Sequence, residues 1–318
     1  MNNNLPQNLD FLLEKEWVED FLNTNSKLLF GSSKNVEVIK IDRAYVMAPQ
    51  SYNMLYVVKI DSQEISLRAS SSTLASREKP FEIMQFIYES GFSTGNILSP
   101  QPIHYFSDIN LMVYYNVSGS VLMNILSQSF IELAPKILSA AKALKKIHSI
   151  MPQPDFQLDS PNFDFKIDRI SRFMPREKLD NVLAQYKNNL NGPDIFCHGD
   201  FQPNNLVIKD DAIIVIDFGA SCFGKKELDL ASFASQLEIM LLRSKNIEIF
   251  EKLKEVFLSN YGDFNAENFK TYSLYHDLLI LDSMIAYLDN DPKPDKTEVK
   301  NSINYWVERM EVKYGRNS

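Results

Sequence analysis

A chain of 318 residues with 45% hydrophobic content is long enough for one two-lobed enzyme or two ordinary domains with sizeable cores. Its formal net charge of −8 argues against a nucleic-acid binder, which needs a basic stripe, and is compatible with a cationic partner. Two cysteines exclude a disulfide framework, no run is apolar enough to span a bilayer, and no leader is recognisable, so a cytoplasmic location with no membrane partner is expected.

Residues 7–23 carry Leu9, Leu12, Leu13, Trp17, Val18, Phe21 and Leu22 at helical spacing and predict one amphipathic helix. Residues 35–68 read as strands. A first run holds Val36, Val38, Ile39 and Ile41, a second over 52–60 is rich in β-branched and aromatic residues, and a third starts at 65–68. Polar residues 70–76 predict a loop. A helix is expected over 77–91, with Pro80 in its first turn and Gly91 as its C-terminal cap. Pro100 and Pro102 break the chain before an apolar segment at 103–106, and 111–115 forms a further strand. From Val121 the pattern turns helical: a short segment over 121–128, then a long amphipathic helix over 135–150 with Ile137, Leu138, Ala141, Leu144 and Ile147 on one face. A Pro- and Asp-rich loop over 151–162 precedes helices at 165–173 and 178–189. Others follow at 228–242, 247–261, 271–287 and 296–314. No internal repeat or low-complexity tract is present.

Between these helices lies the stretch that carries chemistry, FCHGDFQPNNLVIKDDAIIVIDFG over residues 196–219. His198, Asp200 and Asn205 form an H-x-D-x-x-x-x-N pattern, and Asp217-Phe218-Gly219 follows two short apolar runs joined by a polar turn. Phosphoryl transfer asks the protein mainly for positioning and charge neutralisation. Asp200 is the candidate to orient an acceptor hydroxyl and take its proton. Asp217 suits Mg²⁺, which prefers oxygen ligands and takes few protein carboxylates, and the Asn205 amide oxygen can complete the metal shell. H-G-D or D-F-G alone is a weak signal. The two in this order, separated by an apolar hairpin, form a specific one. Cys197 and Cys222 flank the stretch and read as small buried packing residues.

HGDFQPNN…IDFG resembles the aminoglycoside phosphotransferase and choline kinase superfamily, the small-molecule branch of the protein-kinase-like fold. His198-Gly199-Asp200 stands where protein kinases have H-R-D, and no A-P-E-type element follows Asp217. Leu228-Asp229-Leu230-Ala231 resembles the family's D-L-A element, whose Asp is thought to brace the catalytic loop. The resemblance implies an α+β, bilobal protein-kinase-like fold. Its N-lobe, an antiparallel sheet plus a helix, would span residues 1–115, and its mostly helical C-lobe 116–318. It implies ATP, with GTP as the alternative, and Mg²⁺ as cofactors. The turn at 48–53 stands where the family places its nucleotide-phosphate loop, without the glycine often found there, so Ser51 and neighbouring amides would cap phosphate oxygens. Arg68, in a Leu67-Arg68 pair resembling the family's L-R variant, would hold the phosphates, with Lys59 as its rival. Glu78, in a start resembling the family's Arg-Glu pair, would support that cation, with Glu82 as the alternative. Backbone groups at Tyr115 and Val117 would meet the adenine. His148 ends its helix as the family's L-x-x-L-H helix does and reads as a packed structural histidine.

The implied reaction is phosphorylation of a small-molecule hydroxyl, the acceptor being an aminoglycoside-like or other amine-bearing, cationic alcohol. Glu238, Asp277 and Asp282, with Tyr272, Tyr275, Tyr287 and Trp306, are the acidic and aromatic candidates for that acceptor, although carboxylates on helices are mostly solvated. The tail from Arg309 lacks the acidic, aromatic ending of some aminoglycoside 3′-kinases. Alternatives are a kinase of a metabolite such as choline, homoserine or a sugar, and a non-catalytic nucleotide-binding scaffold.

Overall fold

The N-terminal sheet follows from alternation. In the second strand Tyr52, Met54, Tyr56, Val58 and Ile60 are buried, while Ser51, Asn53, Leu55, Val57 and Lys59 take the opposite face. The computed structural model describes residue 6 and residues 8–43, 50–151, 158, 166–186, 192–290 and 296–314. It divides into two compact units, Met1–Ser120 with Val207–Gly219, and Val121–Leu206 with Ala220–Ser318.

The first unit opens with a 3₁₀ turn at Asp10–Leu13, then α1 (Lys15–Thr24) and α2 (Ser26–Phe30). The single helix expected over 7–23 is thus broken, because Glu14 is extended at φ −86°, ψ 115°. Strands β1 (Val36–Arg43), β2 (Ser51–Ile60) and β3 (Gln63–Ser72) precede α3 (Glu78–Ile87), β4 (Ile97–Leu98), β5 (Pro102–Phe106) and β6 (Leu111–Tyr115). The antiparallel sheet runs β1-β2-β3-β6-β5. Asp61 and Ser62, both left-handed, close the tight β2–β3 turn. Ile39 lies at a register break in β1, which explains why this apolar residue is exposed. The core packs Leu9, Leu12, Val18 and Leu22 against the inner faces of β1, β2 and β3.

β3 runs three residues into the expected loop. Ser70, Ser71 and Ser72 are buried strand residues, and the side chain of Asn110 holds the chain beyond them by donating to Ser72 O (2.8 Å) and Ala75 O (2.9 Å). Its Oδ1 also accepts the Arg77 amide at 2.7 Å, which fixes where α3 begins. Gly91 (φ +94°), the expected cap, falls past the end of α3, in the turn Tyr88–Phe92 that follows it. Beyond β7 (Ser120–Val121) and β8 (Ile195–Cys197), the chain returns to this unit through β9 (Leu206–Lys209) and β10 (Ala212–Val215). There Ile213 and Ile214 of β10 pair in parallel with Ile97 and Leu98 of β4.

The second unit is mostly helical. α4 spans Phe130–His148 and starts five residues before the expected position, because Ser129 and Glu132 form a reciprocal capping box upstream of Pro135. α5 (Ile167–Ile170) and α6 (Arg176–Tyr186) follow. Then come β11 (Cys222–Gly224), α7 (Glu227–Arg243), α8 (Phe250–Tyr261), α9 (Ala266–Asn290) and α10 (Thr297–Tyr314). Most of the expected loop over 151–162, and residues 187–189 of an expected helix, lie outside the described residues.

The carboxylates expected on solvated helix faces prove to be buried. Asp277 is fully buried and accepts from Lys313 Nζ (2.9 Å), Arg309 Nη1 (3.3 Å) and the Tyr314 hydroxyl (2.7 Å). Glu238 pairs with Arg309, and Asp282 with Arg169 at 3.1 Å. Trp306 is fully buried and donates its indole N–H to Asp277 O. Burial works against the Asp277 charge, yet Lys313, Arg309 and Tyr314 hold its carboxyl below the usual range. Asp277→Asn should therefore destabilise the protein by about 1.5–3 kcal/mol near neutral pH, because half-buried Arg309, exposed Lys313 and the Tyr314 hydroxyl lose a charged acceptor. With a depressed folded value, the wild-type advantage is present above the unfolded carboxylate pKa of about 3.9 and fades as pH falls through the folded value. Melting curves of the two proteins should converge towards pH 2; a constant gap across that range would refute the assignment.

Candidate active site

The catalytic loop lies in the helical unit and is built on backbone capture. Asp229, fully buried near the start of α7, accepts the His198 amide at Oδ2 (2.7 Å) and the Gly199 amide at Oδ1 (2.8 Å). His148 Nε2 lies 2.9 Å from the same Oδ2. A carboxylate can only accept, so this ring nitrogen donates, and Nδ1 lies 2.7 Å from the Tyr261 hydroxyl. Burial raises the cost of the Asp229 charge, but the His148 hydrogen bond and the loop amides hold its pKa below the usual value. Hydrogen bonds to a charged group contribute on the order of 1.5–3 kcal/mol each, which makes Asp229 the anchor of the loop.

Gly199 cannot be another residue here. Its φ is +80°, and a Cβ on it would stand 1.9 Å from Ala220 O. His198 is buried, accepts the Asp200 amide at Nδ1 (3.3 Å), and its carbonyl accepts the Ser221 hydroxyl (3.4 Å). Phe201 sits in an aromatic row with Phe233 of α7 and Phe257 of α8, at centroid spacings of 5.6 and 4.1 Å. The Asp200 carboxylate accepts from Gln202 Nε2 at 2.8 and 2.9 Å and from Asn205 Nδ2 at 2.9 Å. The second Asn205 amide hydrogen goes to Asp200 O at 2.8 Å. Both amide hydrogens are thereby committed, and Asn205 keeps its carbonyl oxygen for a cation, the donor type Mg²⁺ takes. Cys197 and Cys222 face each other across β8 and β11. Both are buried, and burial pushes the Cys222 thiol up to about 12 and that of Cys197 well above its usual value.

The remaining candidate residues lie on the sheet unit. Arg68 pairs in register with Leu55 and Tyr114, so Ser51, Asn53, Arg68 and Tyr114 share the face away from the unit's core. Arg68 donates its Nε–H to Asn116 Oδ1 at 2.9 Å. Glu78 is exposed, and no ion pair joins it to Arg68 among the described residues. Lys59 is exposed at the opposite end of the β2–β3 hairpin from Ser51, between Glu37 and Glu64 on the neighbouring strands. Residues 48–49 of the expected phosphate turn lie outside the described residues, and Ser51 is the first residue of β2. Tyr115 and Asn116 use their amide hydrogens on Gln101 O and Ser66 O, which leaves Val117 as the first residue past β6 with an uncommitted amide among the described residues.

Arg77 is the group that sequence reasoning left without a role. Its Nη2 lies 3.5 Å from Ser51 Oγ, and its buried Nε has no hydrogen-bond partner. Burial pulls its pKa down, while Asp217 and Tyr114 act in the opposite direction. Asn53 Oδ1 is likewise buried and unpartnered on the same sheet face. Burial pushes the Tyr114 phenol up to about 12 against the pull of Arg68, with Asp217 adding to the rise and Arg77 opposing it. Asp217 is exposed in the left-handed region at φ +63°, with Phe218 buried beside it. An orphaned buried polar atom in a native fold calls for a partner, which an ordered water or a polar ligand can supply. The only local signal for Arg77 was its position before Glu78.

Solved structures of several small-molecule kinases share this fold. A spectinomycin phosphotransferase in complex with ADP and spectinomycin matches at 13% identity and a TM-score of 0.60, covering 93% of this chain and 94% of its own. An amicoumacin kinase in complex with AMP-PNP and Ca²⁺ matches at 10% identity and 0.61, covering 93% of each chain. An ethanolamine kinase from Plasmodium vivax matches at 15% and 0.60, covering 98% of this chain and 90% of its own. A search of curated proteins returns no match. These structural likenesses show a protein-kinase-like fold. The phosphotransferase enzyme family model matches residues 51–250, and the chain belongs to that family.

Asp229→Asn retains one acceptor oxygen and loses the charge, so one loop amide goes unanswered. We expect kcat to fall about 100-fold through misplacement of the loop, with little change in nucleotide affinity. Steady-state kinetics beside calorimetric nucleotide binding would check this, and unchanged kcat would remove Asp229 from the positioning machinery.

Proposed function

We propose that the protein is an ATP- and Mg²⁺-dependent phosphotransferase acting on a hydroxyl of a small, amine-bearing alcohol, with GTP as the alternative nucleotide. The observation that carries this reading is the oriented Asp200 carboxylate, held by Gln202 and Asn205 on a loop whose amides are captured by Asp229. Asp200 orients the acceptor hydroxyl and receives its proton as the acceptor oxygen bonds to the terminal phosphorus and the nucleoside diphosphate departs. Asn205 and Asp217 supply oxygen ligands to Mg²⁺, which when bound neutralises the phosphates. Arg68, Ser51 and Arg77 answer phosphate oxygens on the sheet unit, the arginines as planar, permanently charged forks. Tyr115 and Val117 mark the backbone that borders the adenine, and Glu78 acts on the arginines only over a distance.

A second reading is a metabolite kinase with an uncharged acceptor such as a sugar. It is favoured by one observation: Glu238 and Asp282 are already paired with Arg309 and Arg169, and Asp277 with Lys313 through Oδ2, so their charges are answered without a substrate amine.

Nucleotide turnover measured with Mg²⁺ against aminoglycosides, choline, ethanolamine, homoserine and simple sugars tests the reading. Acceptor-dependent ADP release is expected with one class, and nucleotide binding without turnover on any would favour a scaffold. Asp200→Ala should abolish turnover and leave nucleotide binding within about twofold. Loss of binding in that folded variant would contradict the role. Arg77→Gln should weaken Mg²⁺-nucleotide binding about tenfold or more, a charge-assisted contact being lost, whereas Lys59→Gln should leave it unchanged; the reverse order would overturn the assignment of the cations.

A further inference from the structure

The helical unit holds a cavity of about 470 Å³ formed where α4 ends, α7 begins and α8 ends. This volume lies within the range of small-molecule sites. Two lysines line it, Lys145 of α4 and Lys226 just before α7. Both ammonium groups converge on the turn that follows α8. Lys226 Nζ donates to Asp263 O at 2.5 Å, and Lys145 Nζ stands 3.6 Å from where a Cβ on Gly262 would be. Neither lysine forms an ion pair among the described residues. Glu227, the carboxylate in the lining, is buried and already answered: Oε1 accepts the Asn265 amide at 2.7 Å and Oε2 faces Asn268 Nδ2 at 3.4 Å. The lining thus sets two ammonium groups against one carboxylate, with an apolar wall at Pro193 and Ile195.

The cavity is linked to the catalytic loop by a chain of hydrogen bonds. His148 and Tyr261 line it, and they are bonded to each other and, through His148, to Asp229, which holds the His198 and Gly199 amides. We infer that this cavity is a binding site for a small organic phosphate, held by Lys145 and Lys226, and that its occupancy is transmitted to the catalytic loop through the Tyr261–His148–Asp229 chain. The phosphate would meet the two ammonium groups as point charges, while the organic body lies against Pro193 and Ile195. Binding here needs no assumption about the reaction; only its consequence for rate rests on the catalytic reading of Asp200.

The chain has four histidines, so its imidazole NMR spectrum is sparse enough to follow each ring. We would titrate the full-length protein with glycerol 3-phosphate, with inorganic phosphate as the minimal anion and ionic strength held by chloride. Saturable shifts of His148 and His198 are expected, with His104 of the sheet unit unmoved. The double variant Lys145→Glu, Lys226→Glu, changed at the cavity rim, should lose affinity about tenfold or more. Tyr261→Phe should keep the binding, read calorimetrically, and lose the His198 shift. The proposal is overturned by an absence of saturable shifts, by shifts that survive the lysine reversals, or by loss of binding in Arg68→Gln instead, which would assign the anion to the sheet unit. A His198 shift that persists in Tyr261→Phe would overturn the coupling.

Discussion

One buried carboxylate organises the catalytic machinery. Asp229 replaces water around two consecutive loop amides, and an ionised group buried that deeply is tolerated only because His148 and the amides answer it from every side. The loop cannot relax away from this anchor, since Gly199 is pressed against the Ala220 carbonyl and Phe201 packs on Phe233 of α7, itself stacked on Phe257 of α8. Rigidity in the side chain of Asp200 is thus inherited from the backbone beneath it. The arrangement matches what phosphoryl transfer demands, namely preorganised charges and very little covalent participation by the protein.

The sheet unit follows a different logic. There the loop machinery's saturation gives way to deliberate incompleteness: Arg77 Nε and Asn53 Oδ1 are buried without partners, close to a guanidinium, a phenol and the Asp217 carboxylate. Asn110 is the residue that sets this up, because its amide ties the end of β3 to the first turn of α3 and so decides where Arg77 stands. A protein that leaves polar atoms unanswered bears a stability penalty for each, which is reasonable where a charged ligand supplies the missing contacts.

Much of this was legible before any coordinates. The HGD…N…DFG pattern carried the family and the loop, since those residues are close in sequence and their spacing is constrained by the chemistry. Strand alternation carried the sheet, whereas Gly91 falls past the end of α3, in the turn Tyr88–Phe92 that follows it. What escaped depended on partners far along the chain. Ser70–Ser72 looked like a loop because nothing local reveals that Asn110 and Ile109 will satisfy them. Pro135 looked like a helix start because the capping box upstream of it was not weighed. Glu238 and Asp277 looked like surface acids because Arg309 and Lys313, which neutralise them, are 71 and 36 positions away respectively. Arg77 carried no mark of its own beyond its place ahead of Glu78; only its orphaned nitrogen beside Ser51 singles it out.

The strand pair β8–β11 offers a way to watch the loop move. It contains both cysteines of the chain, facing each other directly before His198, and each is buried with its thiolate strongly disfavoured. A thiol reagent attacks the thiolate and needs access, so modification of the native protein must wait for this pair to open. Labelling kinetics therefore act as an intrinsic clock for local opening at the root of the catalytic loop. No engineered probe is required, and no other thiol in the chain can confuse the signal.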